Sequence, residues 1–277
     1  MVAHPRPGSG PTTPLAWFLW VDGARTGPEN MAWDHTLALG PPPGLGVRRR
    51  DGWARPTLSL GRKEPARDVF DPDRLLAQGV DLVRRPTGGR SVLHDRELTY
   101  TVVAPLKALG GARAAYALVN RGLAEGLATL GVPAALAASG PTLPPDAGPC
   151  FQEPVEGEVV SQGRKLIGSA QARVGSALLQ HGSILLEDGQ HRLDGLRLDR
   201  ADSPDPGRET GGIRGVLKRP VTVGEVARAV GQGLQLTLPG DWRPTRGGAS
   251  LGETGLPSEP APELLARDRS PEWSWRR

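Results

Sequence analysis

The chain has 277 residues, long enough to bury a sizeable core as one large domain or two small ones. Lys and Arg total 34 against 30 Asp and Glu, a formal charge of +4. Without any run of five basic residues, that balance reads as a soluble surface rather than a nucleic-acid footprint. A single cysteine, Cys150, excludes an intramolecular disulfide framework and a cysteine-cluster zinc site.

Met1 to Pro14 is rich in Pro, Gly, Ser and Thr, lacks an apolar signal core, and is expected to be disordered. Leu15–Val21 is apolar but far shorter than the ~20 residues needed to cross a bilayer. It reads as a strand, and the chain as a cytoplasmic protein without a membrane partner. Pro28–Leu39 is a helix with Met31, Ala32, His35 and Ala38 near one face. The stretch 40–56 is turn-rich and basic, with Arg48–Arg50 its densest cluster. Thr57–Gly61 reads as a short strand, and Arg74–Gly79 as a short helix stopped by its glycine.

Residues 81–104 carry the strongest local signal. Leu82-Val83 forms a short strand, Pro86-Thr87-Gly88-Gly89 a turn, and a second strand runs to Ala104 with Leu98, Tyr100 and Val102 on one face. The pattern is that of a β-hairpin whose paired glycines let another molecule approach the main chain. Arg84, Arg85, Arg90 and His94 surround the turn, and the plainest account of them is a solvated basic rim.

Ala112–Leu130 is the clearest helix: Tyr116, Val119, Leu123, Leu127 and Leu130 make one apolar stripe, with Gly131 and Pro133 ending it. That stripe predicts core packing and no chemistry. Residues 132–157 hold six prolines and read as a long loop containing Cys150. Gly157–Val160, Lys165–Ile167 and Leu178–Leu186 follow as antiparallel strands, turned at Gln162-Gly163 and Gly168-Ser169. Residues 188–218 give no assignable pattern. Thr222 with Glu225 forms a capping box before a helix with Val223, Val226 and Val230 facing inward. The segment 239–260 is rich in Pro and Gly, Ala261–Arg267 is a last helix, and Trp273 and Trp275 are expected to pack back on the body. Strands and helices mix without βαβ alternation, which favours an α+β fold.

Cys150 lies in a polar, proline-rich loop with little core for a structural thiol to join, and such loops are where a rigid scaffold presents reactive groups. A free thiol titrates near about 8.5, so a nucleophilic cysteine needs a cation beside it. Taken alone, Lys165 is an exposed hairpin lysine, and His94 and His181 serve equally well as buried structural histidines. No phosphate loop, H-E-x-x-H, C-x-x-C or G-x-S-x-G elbow is present, which removes zinc-hydrolase, P-loop and serine-hydrolase readings.

The string R-R-P-T-G-G-R-S-V-L-H-D-R-E-L-T-Y at 84–100 resembles the signature of the biotin/lipoate protein ligase superfamily. G-R-K-L-I-G-S-A-Q at 163–171 and L-Q-H-G-S-I-L-L at 179–186 resemble it too, in the same order and spacing. Asn30-Met31-Ala32 with Asp34 is similar to its opening helix, and Glu272-Trp273 to its last motif. Within the superfamily the blocks look most like the LipM-like octanoyltransferases that begin lipoate synthesis. The resemblance runs from about Trp17 to Arg277. It implies one catalytic domain over 15–277, built from a large mixed, mainly antiparallel sheet and a smaller sheet flanked by helices.

It also implies that Cys150 is the nucleophile and Lys165 its cationic partner. Arg85, Thr87, Gly88, Gly89, His94, Gly168, Ser169, Ala170, His181 and Gly182 are then residues of an acyl pocket. The implied donor is octanoyl-acyl carrier protein, the implied acceptor the glycine cleavage H protein or another lipoyl domain, and no cofactor or metal is required. Two alternatives stay within the superfamily: an amidotransferase moving octanoyl between lipoyl domains, and an ATP-dependent lipoate ligase. The ligases usually carry Gly-Asn after the His-Asp pair, where this chain has Arg96-Glu97. A non-catalytic binder of acyl chains or nucleic acid, using Arg48–Arg50 and Arg84–Arg90, is the alternative of another class.

Overall fold

The structure is a computed structural model that describes residues 15–40, 44–138, 150–151, 154–199, 212–243 and 255–276. The expected disorder of 1–14 lies outside them. In chain order the elements begin with β1 (Ala16–Arg25), α1 (Gly27–Leu39), β2 (Leu45–Trp53), β3 (Thr57–Leu60), α2 (Pro72–Ala77), β4 (Asp81–Arg84), β5 (Val92–His94) and β6 (Glu97–Pro105). There follow α3 (Ala112–Thr129), β7 (Ala134–Leu136), β8 (Val159–Ser161), β9 (Arg164–Val174), β10 (Ala177–Leu185), α4 (Ile213–Leu217), α5 (Val223–Thr237), β11 (Asp241–Arg243), α6 (Pro262–Arg269) and α7 (Pro271–Ser274). They build an eight-stranded mixed sheet in the order β11-β1-β2-β6-β10-β9-β8-β7 and a three-stranded sheet in the order β4-β3-β5. The α+β class and the two-sheet architecture are those expected.

Four local expectations are corrected. Residues 45–53 form a central strand, β2, rather than turns. Its charged residues hide a period-2 pattern, because Arg49 is buried and paired while Arg48 points to the other face. The twin-glycine segment does not join a hairpin: β4 and β5 both pair with β3, and β6 enters the large sheet. Local strand signals cannot show that an earlier strand has slipped between two neighbours. There is no turn at Gly168-Ser169, since β9 runs straight through to Val174 and reverses at Gly175, whose φ is 57°. Finally, Val223 at the first turn of α5 is 47% exposed, although Val226 and Val230 are buried.

Elsewhere the details move less. The expected long loop contains β7, paired with β8, and α2 begins two residues before Arg74. The unassigned stretch holds a 3-10 turn at Gln190–Leu196 and α4.

The two faces of the large sheet differ in chemistry. Tyr100, Val102 and Ala104 of β6 and Leu178 of β10 pack with Val119, Leu123 and Leu127 of α3 and with Val226, Val230 and Leu234 of α5. Each buried Val or Leu side chain among them contributes about 1.5–3 kcal/mol relative to exposure. On the opposite face, Val47, Val103 and Leu179 stand in register across β2, β6 and β10 and take Trp33, Leu37 and Ala38 of α1. Two residues further along come Arg49, Thr101 and His181, then Asp51, Thr99 and Ser183. That face therefore passes from hydrocarbon to ion pairs to an open cavity over three rows of residues.

Candidate active site

The strand pair β8–β9 delivers Lys165. Gln162 and Gly163 both have positive φ, 50° and 75°, which is the hairpin turn whose twist matches its strands. Lys165 follows within β9, 2% exposed. Its three N–H groups are all engaged, with Glu158 Oε1 at 2.7 Å, Cys150 O at 2.9 Å and Cys150 Sγ at 3.1 Å. Glu158 also accepts the Val155 N–H at 3.0 Å, so one buried carboxylate holds both the lysine and the chain leading to it.

Three contacts fix Cys150. Its N–H donates to Ser91 O at 3.1 Å, Arg90 donates to its carbonyl at 3.3 Å, and the adjoining Phe151 is buried against Val92 and Leu185. Gly168 makes room for this arrangement, because a Cβ there would lie 2.9 Å from the Phe151 ring and 3.5 Å from the sulfur. The half-buried thiol lies on the wall of a cavity of about 470 Å³, within the range of small-molecule sites.

The twin-glycine bend forms another wall. Its carbonyl at Gly89 lies so close to Gly61 that a Cβ there would come within 1.8 Å, so the end of β3 must be bare. The expected basic rim is not solvated. Arg85, buried, donates to Ser59 O at 2.7 Å, Ser59 Oγ at 2.8 Å, Gly88 O at 3.1 Å and Arg90 O at 2.9 Å. Burial lowers its pKa. Arg84 directs all five N–H groups at carbonyls: Gly61, Glu64, Trp273, Ser274 and Arg276. Burial brings it down to about 10. Through Arg84 the chain after α6 is tied to the underside of the bend, and Trp275 packs on the small-sheet core as expected.

Both histidines are locked by their partners. His181 Nδ1 donates to Asp34 Oδ2 at 2.7 Å, and Nε2 pairs with Thr87 Oγ1 at 2.6 Å. Burial acts to raise the Asp34 carboxyl, but the His181 hydrogen bond and the Arg49 charge hold it below its ordinary value. Arg49 in turn meets Asp22, Asp34 and Asp51 at 2.8, 3.0 and 3.2 Å. His94 Nδ1 donates to Glu97, and its Nε2 pairs with Ser59 Oγ at 2.6 Å, an oxygen that also receives Arg85. His94 also stacks on Trp53, with centroids 3.9 Å apart.

Residues 50–235 match the family of lipoyl protein ligase A/B catalytic domains. An octanoyltransferase LipM of Kyrpidia tusciae is 35% identical over 281 residues, covering 94% of this chain and 99% of that protein. The chain belongs to this family, on its octanoyltransferase branch. An octanoyltransferase LipM of Symbiobacterium thermophilum is 43% identical over 169 residues, a stretch that spans 57% of this chain and 60% of that relative. Among solved structures, lipoate-protein ligase A bound with ATP superposes with a TM-score of 0.70 at 19% identity, covering 95% of this chain and 98% of the other. A putative lipoate protein ligase from T. acidophilum with bound lipoic acid gives 0.66 at 21% identity, covering 94% and 100%. At these identities the structures speak for the fold alone.

Of the residues picked from the family blocks, Cys150, Lys165, Arg85, Gly89, His94, Gly168, Ser169, Ala170, His181 and Gly182 all line the cavity. Thr87 and Gly88 are not on its wall: Thr87 stands behind His181, and Gly88 O receives Arg85. Sequence reasoning passed over Glu158, Trp53, Thr99 and Tyr116, which also line it. Tyr116 sits on the helix assigned to packing alone, and burial raises its pKa above the ordinary phenol value. Asn120 on the same helix accepts from Ser169 Oγ at 3.0 Å and from Gln180 at 3.1 Å. A signal for Glu158 existed, as a carboxylate immediately before β8, the strand antiparallel to the one bearing Lys165. Trp53 had none, because β2 itself was not recognised. Among the described residues, no helix is long and apolar enough to cross a membrane and no His, Cys, Asp and Glu cluster is placed to hold a metal.

Proposed function

We propose that the chain carries an octanoyl group from a carrier-bound thioester, through Cys150, to a lysine of a lipoyl-bearing protein. The observation that carries this reading is the 3.1 Å contact between Lys165 Nζ and Cys150 Sγ at a cavity wall. In the first step the Cys150 sulfur attacks the donor carbonyl. The carbon–sulfur bond to the carrier breaks, and the proton given up by Cys150 ends on the leaving carrier thiol. The Lys165 N–H that faces the sulfur then stands beside the oxygen of the new thioester, where charge develops in each tetrahedral intermediate. In the second step a neutral lysine amine attacks that thioester, an amide forms, and its spare proton returns to the Cys150 sulfur. A thioester is already activated, so neither step consumes ATP. Splitting the transfer this way predicts ping-pong kinetics.

The donor is octanoyl-acyl carrier protein and the acceptor the glycine cleavage H protein, with dehydrogenase lipoyl domains as the competing acceptors. The test offers purified H protein and dehydrogenase lipoyl domains separately, with octanoyl carrier protein and without nucleotide, and reads lysine octanoylation by mass. Modification of H protein that disappears in Cys150→Ala supports the reading. Modification only when octanoate and ATP are supplied replaces it with a ligase, and transfer only from an octanoylated lipoyl domain replaces it with the amidotransferase.

A further inference from the structure

We propose that Glu158 is a positioning residue for acyl transfer, whose carboxylate holds the Lys165 ammonium against the Cys150 sulfur through both half-reactions. This rests on the acyl-transfer reading above and adds the group that makes the lysine effective. A lysine is a point charge on a flexible stem, so its own side chain fixes no direction. Burial also drives an unpaired ammonium toward its neutral form. Lys165 is 2% exposed and Glu158 4%, and Glu158 Oε1 meets Lys165 Nζ at 2.7 Å. The other oxygen that Lys165 meets, Cys150 O at 2.9 Å, is an uncharged carbonyl. Balance for the ammonium therefore comes from Glu158, and its direction from Glu158 and Cys150 together.

The strands are built to make this contact. Val159 pairs with Ile167 and Val160 with Lys165, so Leu166 is an extra residue on β9. Such a bulge shifts the alternation by one and brings Lys165 to the face of Gly168, which a regular period of two would deny it. Across from it, the turn that carries Glu158 is pinned on several sides. Glu158 N–H donates to Val155 O at 3.1 Å, Ala137 N–H to Glu158 O at 2.8 Å, and Asn120 Nδ2 on α3 to Gly157 O at 2.9 Å. The carboxylate is thus tied to α3 and to the end of β7 before it meets the lysine. Its Oε2 accepts the Val155 N–H at 3.0 Å. Each carboxylate oxygen receives one N–H, one from the backbone and one from the lysine. An amide in its place offers a single oxygen and cannot receive both.

Wild type, Glu158→Gln, Lys165→Ala and the double variant are compared in single-turnover loading of Cys150 by an octanoyl thioester. Loading is read by intact mass, with melting temperatures measured alongside. Glu158→Gln should slow loading about ten-fold or more, the coupling expected of a buried pair in contact. Glu158→Asp, which keeps the charge, should slow it less. In the Lys165→Ala background, Glu158→Gln should cost less than about two-fold, because a residue that acts through the lysine has nothing left to position. An unchanged rate in Glu158→Gln overturns the role. Equal slowing in both backgrounds overturns it too, since the carboxylate would then support the fold or the cavity independently of Lys165. Should Glu158→Gln unfold, Glu158→Asp in both backgrounds repeats the comparison. Failure of folded wild type to load at all is a separate result and overturns the acyl-transfer reading itself.

Discussion

The large sheet serves two purposes with the same strands, one on each face. Beneath α3 and α5 the residues of β6 and β10 are mostly hydrocarbon, with Gln180 and the Tyr100 hydroxyl tied into a short polar network with Asn120 and Ser169 at the cavity end. On the other face of those strands stand Thr99, Thr101, His181 and Ser183, each engaged in hydrogen bonds that lead to Asp34 or Glu97. The comparison teaches that alternation along a strand separates stability from chemistry. A substitution on one face should leave the other face's property intact. The buried charge on the site face is paired: Arg49 meets Asp22 from β1, Asp34 from α1 and Asp51 from its own strand.

Four changes press on that separation. Lys165→Ala removes the group that touches both sulfur and Glu158, and should slow single-turnover acylation by about 10²–10³-fold, the usual loss for one transition-state donor. An unchanged rate contradicts its role. Leu123→Ala, fully buried on the opposite face, should cost about 3 kcal/mol in denaturant unfolding, while acylation per folded molecule stays at the wild-type rate. A matching fall in that rate breaks the comparison.

The third change concerns pH. Burial pushes the Asp51 carboxyl from 3.8 up to about 7. Between those values the folded state keeps a proton that the unfolded chain has released, so this group makes stability fall as pH rises. Asp51→Asn should flatten that limb in urea titrations across the window; a slope like wild type contradicts it. Asp34 acts oppositely. Its carboxyl is held below 3.8, so its contribution is present above that value and is lost as pH falls further. The smallest effect belongs to Val223→Ala. That side chain is exposed, and its removal should change stability by less than about 0.5 kcal/mol.

How much was legible in the sequence follows the same division. The stripe of α3, the capping box at Thr222 and the Gln162-Gly163 turn are local patterns, and the structure keeps them. The family resemblance paired Cys150 with Lys165, fifteen positions apart, and the structure places them in contact. What escaped was non-local. Arg48–Arg50 looked like an exposed basic cluster because the carboxylates that bury Arg49 come from β1 and α1 as well as its own strand. The Gly168 position looked like a turn because a glycine needed for the closeness of Phe151 is written identically to one needed for a reversal. The twin-glycine segment looked like a hairpin because β3, which lies between its flanking strands, comes earlier in the chain.

The central claim is that the Cys150 sulfur itself carries the acyl group. Intact-protein mass spectrometry after mixing with an octanoyl thioester, in the absence of nucleotide and acceptor, addresses it directly. The account predicts a gain of one octanoyl group that hydroxylamine removes and that Cys150→Ala never acquires. An adduct of the same mass on Cys150→Ala, or none on a folded wild-type protein, contradicts it.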